Sequence, residues 1–158
     1  MNSYLFVKTL HILSSVLLVG TGFGSAFYLF FVNRTRSVPA IAAVSRLVVR
    51  ADWWFTTPAA VFQPLSGLWL ASSTAQEWTA PWLLGSLVLY LIAGLCWLPV
   101  VWIQIRMRQL SAQAAAGGAA ELPPAYWRHA LVWEMLGYPA FLAMLAVYFL
   151  MVFKPQLW

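Results

Sequence analysis

The sequence has 158 residues, of which 63% are hydrophobic and 8% charged, whereas soluble domains carry about a quarter charged residues. That shortage of charge and a mean hydropathy of +0.78 exclude an ordinary soluble domain, and also collagen, disordered and disulfide-scaffold chains. The net charge of +5 is not a nucleic-acid signature, because the basic residues sit in short segments between apolar runs, where they act as orientation signals.

A crossing needs about 20 apolar residues, and four runs of that kind occur. The first covers 4–32 and is interrupted only by Lys8 and His11. Gly24, Ser25 and Ala26 resemble a signal-peptide cleavage site. However, no basic residue precedes the apolar core, and cleavage would export the Arg-rich segment that follows, so this helix is expected to be retained. Residues 40–50 read as a helical extension into the second span, with Arg46 and Arg50 one turn apart and facing lipid phosphates. The second span covers 53–72. A short loop at 73–81, with Glu77 as its only charge, leads to the third span at 82–105, which ends at Arg106 and Arg108. Residues 109–126, rich in Ala and Gly and closing on Pro123 and Pro124, read as a flexible cytoplasmic linker. The fourth span covers 130–153. The expected fold is all-α: a polytopic four-transmembrane-helix bundle forming a single integral membrane domain over 1–158.

Orientation follows from the loops. Arg34, Arg36, Arg46, Arg50, Arg106, Arg108 and Arg128 fall on one side, against Lys154 and a snorkelling Lys8 on the other. This bias places the long connections in the cytoplasm of a bacterial inner membrane and both termini outside. Trp53, Trp54, Trp127 and Trp133 would mark the inner interface, and Trp69, Trp78, Trp82 and Trp158 the outer one. The single Cys96 offers neither an intrachain disulfide nor a thiolate cluster.

Helices in a bilayer associate through small residues and shared polar groups, so such residues mark the bundle interior. Helix one presents Lys8, His11, Ser15, Gly22 and Ser25 on one stripe. The second span presents Thr56, Ala60, Gln63 and Gly67, with Pro58 and Pro64 permitting kinks; the third presents Ser86, Tyr90 and Gly94. The fourth aligns Glu134, Gly137, Phe141, Met144, Tyr148 and Met151. Depth groups His11, Lys8, Tyr90, Met144, Tyr148 and Met151 in the outer half, and Asp52, Arg50, Arg128, His129 and Glu134 near the inner boundary. About 20 Å of helix rise between His11 and His129 argues against a bis-His haem.

Ionisable groups inside a span are functional candidates by default. His11 could ligate haem iron or relay a proton, with haem b as the cofactor, Met144 or Met151 as a second axial ligand, and Lys8 near a propionate or anchored at the surface. The competing reading has His11 bonded to a neighbouring helix. Glu134, expected at the start of the fourth helix, would pair with Arg128 or Arg50, and Asp52 would be an N-cap or meet a nearby arginine.

No phosphate loop, zinc signature, nucleophilic triad or paired-carboxylate arrangement is present, and the segments between spans are too short for a soluble catalytic domain. Enzymatic activity is left open. Three functions remain: a haem-associated redox or electron-transfer protein; a non-enzymatic assembly or interaction subunit whose arginines contact anionic lipid or a larger complex; and a copper or small-solute permease component, which would require an oligomer. Expected partners are the lipid bilayer, other membrane proteins or a second copy, and no nucleic acid.

The opening Val7-Lys8-Thr9-Leu10-His11-Ile12-Leu13-Ser14-Ser15, the glycines from Gly20 to Gly24, and the closing Trp133, Leu136-Gly137, Pro139-Ala140-Phe141, Met151 and Lys154-Pro155 resemble a bacterial family of predicted integral membrane proteins, the domain of unknown function 2269. The likeness runs over nearly the whole chain; it implies a membrane fold and names no reaction. The Lys8-x-x-His11 start is similar, more distantly, to the first helix of membrane-type (HemJ) protoporphyrinogen oxidases and of the copper-resistance D membrane domain. The likeness to the oxidases implies haem binding at His11.

Overall fold

The computed structural model describes residues 2–74 and 77–155. It is built from helices, and no strand occurs among the described residues: α1 (Ser3–Arg34), α2 (Val38–Ala51), a π-helical segment (Asp52–Thr56), α3 (Thr57–Ser73), α4 (Pro81–Ala116) and α5 (Pro124–Phe153). Three of these, α1, α4 and α5, are long and apolar enough to cross a membrane. Large side chains such as Tyr28, Leu95, Phe149 and Val152 lie exposed along them, as a lipid-facing surface requires. The loop expected at 73–81 includes positions 75 and 76, which lie outside the described residues, as does Trp158.

Two antiparallel pairs make up the bundle. The α4–α5 hairpin has the most extensive contact; α1 packs along α3; and α2 fits between α1 and α4. The main core lies at the basic end, where Leu29, Ile41, Val48, Ile103, Met107 and Tyr126 cluster. There the Tyr126 hydroxyl donates to Asn33 Oδ1 at 2.7 Å, joining α5 to α1 inside the core. Toward the opposite end the two pairs separate. Hydrogen bonds from two tyrosines span the gap: Tyr90 to the Ala60 carbonyl at 2.6 Å and Tyr148 to the Ser15 carbonyl at 3.1 Å.

The prolines account for two local features. Pro58 has no N–H, and its ring would crowd the carbonyl one turn earlier; the backbone widens to a π turn just before it, with the Thr57 N–H bonded to the Asp52 carbonyl. Pro64, inside α3, leaves the Ala60 carbonyl without its helical donor. The phenol of Tyr90 takes that donor's place.

The linker expected at 109–126 is largely ordered. Helix α4 continues to Ala116, favoured by alanine's high helix propensity, and Met107 and Ser111 are fully buried beyond the end of the apolar run. The chain turns at Gly117 and Gly118, the latter at φ +63°, and Leu122 and Tyr126 return to the core. The apolar face of α2 covers this extension, which a composition-based reading could not foresee. At 1.5 Å per residue α4 is about 54 Å long, so its final third extends past a hydrocarbon layer about 30 Å thick.

Changing Tyr90 to Phe removes the donor to Ala60 while preserving shape. Tyr90→Phe is expected to cost about 1–3 kcal/mol, measurable as a lower midpoint in reversible detergent unfolding. A midpoint equal to wild type would show that this hydrogen bond does not join the two helix pairs.

Candidate functional site

His11 is half-buried and faces α3. Its Nδ1 lies 2.7 Å from Ser66 Oγ and its Nε2 lies 3.3 Å from Gln63 Nε2. Because the Ser66 hydroxyl donates to the Phe62 carbonyl at 2.7 Å, it can only accept from the imidazole. In this arrangement Nδ1 carries a proton donated to Ser66, and Nε2 faces the Gln63 amide, whose Oε1 is buried without a partner. Gly67 gives the ring space, since a Cβ there would stand 3.2 Å from His11 Cε1. Ser14 reinforces the same helix pair by donating to the Ala59 carbonyl at 3.4 Å. His11 thus joins α1 to α3 through both ring nitrogens.

The other candidate ligands lie apart from this contact. Lys8 is exposed, with its ammonium 5.8 Å from the centre of the Tyr4 ring. Met144 lines a cavity between the two helix pairs whose walls do not include His11, and Met151 is exposed on α5. Among the described residues, no group of three or more His, Cys, Asp or Glu side chains is placed to hold a metal ion.

The expected inner-boundary groups also find different partners. Glu134 lies ten residues into α5 rather than at its start, and its carboxylate is 3.8 Å from Arg34, not beside Arg128 or Arg50. His129 Nδ1 is 2.6 Å from the Ala125 carbonyl, and its ring lies against Trp102. Asp52 is the C-cap residue of α2 rather than an N-cap, and among the described residues it meets no arginine. It is 4% exposed and accepts from the Thr56 hydroxyl at 3.0 Å through Oδ1, while Oδ2 is buried without a hydrogen-bond partner. It precedes the apolar stretch of α3. Burial pushes its carboxyl up to about 6, opposed by the Thr56 hydrogen bond and by the nearby Gln104 side chain.

Neither Ser66 nor Gln104 stood out in the sequence. Their signals were local: Ser66 lies three residues beyond Gln63, within the same helical turn, and Gln104 interrupts the apolar run of α4. A third feature lies at the basic end, where a groove between α2 and α4 is lined by Arg46, Arg50 and Arg108 together with Trp53 and Trp54. Among the described residues the one ion pair is Arg34–Glu134, so no carboxylate neutralises these three guanidinium groups.

The family model for predicted integral membrane proteins of the domain of unknown function DUF2269 matches residues 5–155. No curated protein matches the chain, and no solved structure does.

The Asp52 carboxyl titrates at a higher pH in the fold than its ordinary value of 3.8, so folding favours its neutral form. Below pH 3.8 both states are protonated and no cost arises; the cost grows as pH rises toward 6 and is complete above it. Asp52→Asn is therefore expected to raise the unfolding midpoint in detergent at pH 7.5 and to leave it nearly unchanged at pH 3.5. An equal shift at both values would rule out ionisation as the cause.

Proposed function

As the chain belongs to the DUF2269 family of predicted integral membrane proteins, we propose that it is a non-enzymatic interaction subunit of the bacterial inner membrane, held at its cytoplasmic face by anionic lipid. The observation that carries this reading is the groove of Arg46, Arg50 and Arg108, three guanidinium groups with no carboxylate partner among the described residues, flanked by Trp53 and Trp54. Arginine forks suit phosphate oxygens, and indoles sit at headgroup depth. In this reading residues 53–72, roughly 30 Å of helix, form a fourth crossing that begins just after Asp52. Both termini lie outside and the seven arginines lie inside. His11 serves the α1–α3 contact, and other membrane proteins or a second copy are the partners.

The test of lipid anchoring compares nanodiscs containing phosphatidylglycerol or phosphatidylcholine. The Arg46→Gln, Arg50→Gln, Arg108→Gln triple variant is expected to lose at least ~10-fold in preference for the anionic lipid, at about 1 kcal/mol per basic residue near the surface. An unchanged preference would remove the anchoring role. Topology is tested by thiol labelling of intact cells on a Cys96→Ala background: Glu77→Cys should react with an impermeant reagent, and Arg106→Cys should not. The reverse pattern would overturn the orientation.

A second reading, a redox protein holding haem b through His11, draws on a half-buried imidazole within an apolar helix. It requires His11 to release Ser66 or Gln63 for iron. It also needs Lys8 near a propionate, and Met144 or Met151 brought to the opposite side of the haem. The purified protein would then show a Soret band that shifts with dithionite and is lost in His11→Ala; a colourless, folded preparation favours the interaction subunit. A copper or small-solute permease component would require several copies, and metal analysis after copper loading addresses it.

A further inference from the structure

The gap between the two helix pairs forms a half-open cavity of about 410 Å³, within the ~300–1,000 Å³ range of small-molecule sites. Phe23, Trp97 and Phe141 contribute to its apolar wall. Gly22, Gly94 and Gly137, from three different helices, also line it, and each has open space where a Cβ would stand. Larger residues at these positions would fill the gap.

The end toward the basic core has different chemistry. Asp52, Thr56 and Gln104 line the cavity there. Thr56 satisfies one carboxylate oxygen of Asp52, while Oδ2, in a side chain 96% buried, has no hydrogen-bond partner. A buried acceptor left unsatisfied is costly, and each such group calls for an explanation. An oxygen that lacks a donor within the protein can receive one from a bound molecule.

We propose that this cavity binds a long apolar molecule ending in one hydrogen-bond-donating head, a hydroxyl or a protonated amine, with the head at Asp52 Oδ2 and the tail extending toward Tyr90 and Met144. About 21 Å of helix rise separates Gln104 from Tyr90 on α4, enough for an extended chain. Val61 on α3 and Leu91, Leu95 and Leu98 on α4 line the cavity and are exposed, so it opens between these helices, where bilayer-dissolved molecules can enter without crossing water. A carboxylate or phosphate head would meet Asp52 as a like charge in an apolar setting and is rejected. The basic groove shares neither Asp52 nor the glycines, so this site stands independently of lipid anchoring.

The test uses the full chain in a nonionic detergent and three probes of equal length: hexadecylamine, hexadecanol and hexadecanoate. Native mass spectrometry should show one bound molecule for the amine and the alcohol, each at least ~10-fold tighter than the carboxylate, as expected for a hydrogen bond to a charged group. Tighter binding of the amine identifies a cationic natural ligand, and tighter binding of the alcohol a neutral one; both support the site. Asp52→Asn should abolish the preference for the amine over the carboxylate while leaving the helical circular dichroism intact. Gly94→Leu should remove binding of all three, with Gly137→Leu as the second filling variant if the first does not fold. Equal uptake of the three probes by wild type, or binding unchanged in Asp52→Asn and in a folded filling variant, would overturn the proposal.

Discussion

Each polar side chain carried into the apolar bundle must be answered by another part of the protein, because hydrocarbon supplies no replacement hydrogen bond. Helix pairing in this chain follows from that requirement, although Asn33 Nδ2, Ser45 Oγ, Asp52 Oδ2 and Gln63 Oε1 are buried without a partner. His11 meets Ser66 and Gln63, Tyr126 meets Asn33, Tyr90 meets the Ala60 carbonyl, and Tyr148 meets the Ser15 carbonyl. The α1–α3 contact is held by an imidazole using both of its nitrogens. At the opposite end, a phenol inside the core joins α5 to α1.

The same requirement explains how prolines can sit inside these helices. Pro64 frees a carbonyl that Tyr90 then occupies, so a backbone interruption becomes a contact between α3 and α4. Pro58 is accommodated by the π turn at Asp52–Thr56. That turn also places Asp52 on the cavity wall, where one of its oxygens is left without a partner. Local helix distortion and candidate ligand chemistry are therefore consequences of one residue choice.

Packing is uneven along the bundle. At the basic end α2 fills the space between α1 and α4, and bulky residues form a continuous core. Farther along, no comparable element intervenes among the described residues. Beside the glycines on α1, α4 and α5 the helix pairs are bridged by two tyrosine hydroxyls, a Phe23–Phe141 stack and the small cluster of Ala71, Ala80 and Leu83. This division places stability at one end and an open apolar cavity beside it. The arginines of α2 and α4 lie next to the compact end, where both helices extend past the apolar runs, and this is why Arg46, Arg50 and Arg108 gather in one groove there.

Membrane character, the positions of the apolar runs, the helical lead-in at 40–50 and the polar stripe bearing His11 were legible in the sequence, since they depend on composition and helical period alone. Hydropathy could not reveal that 109–116 is helix, because its stability comes from α2 packing over Met107 and Ser111, a contact distant in sequence. Nor could spacing choose Arg34 as the partner of Glu134, or separate Met144 from His11, because depth along a helix leaves rotation about its axis undefined. The stripe on α1 limits His11 to an interior face; only the packing of α3 determines that Ser66 and Gln63 reach both ring nitrogens. Asp52 was visible as a charge beside an apolar run, but the oxygen it leaves unpaired depends on a π turn, a threonine one turn later and a glutamine from another helix meeting in three dimensions.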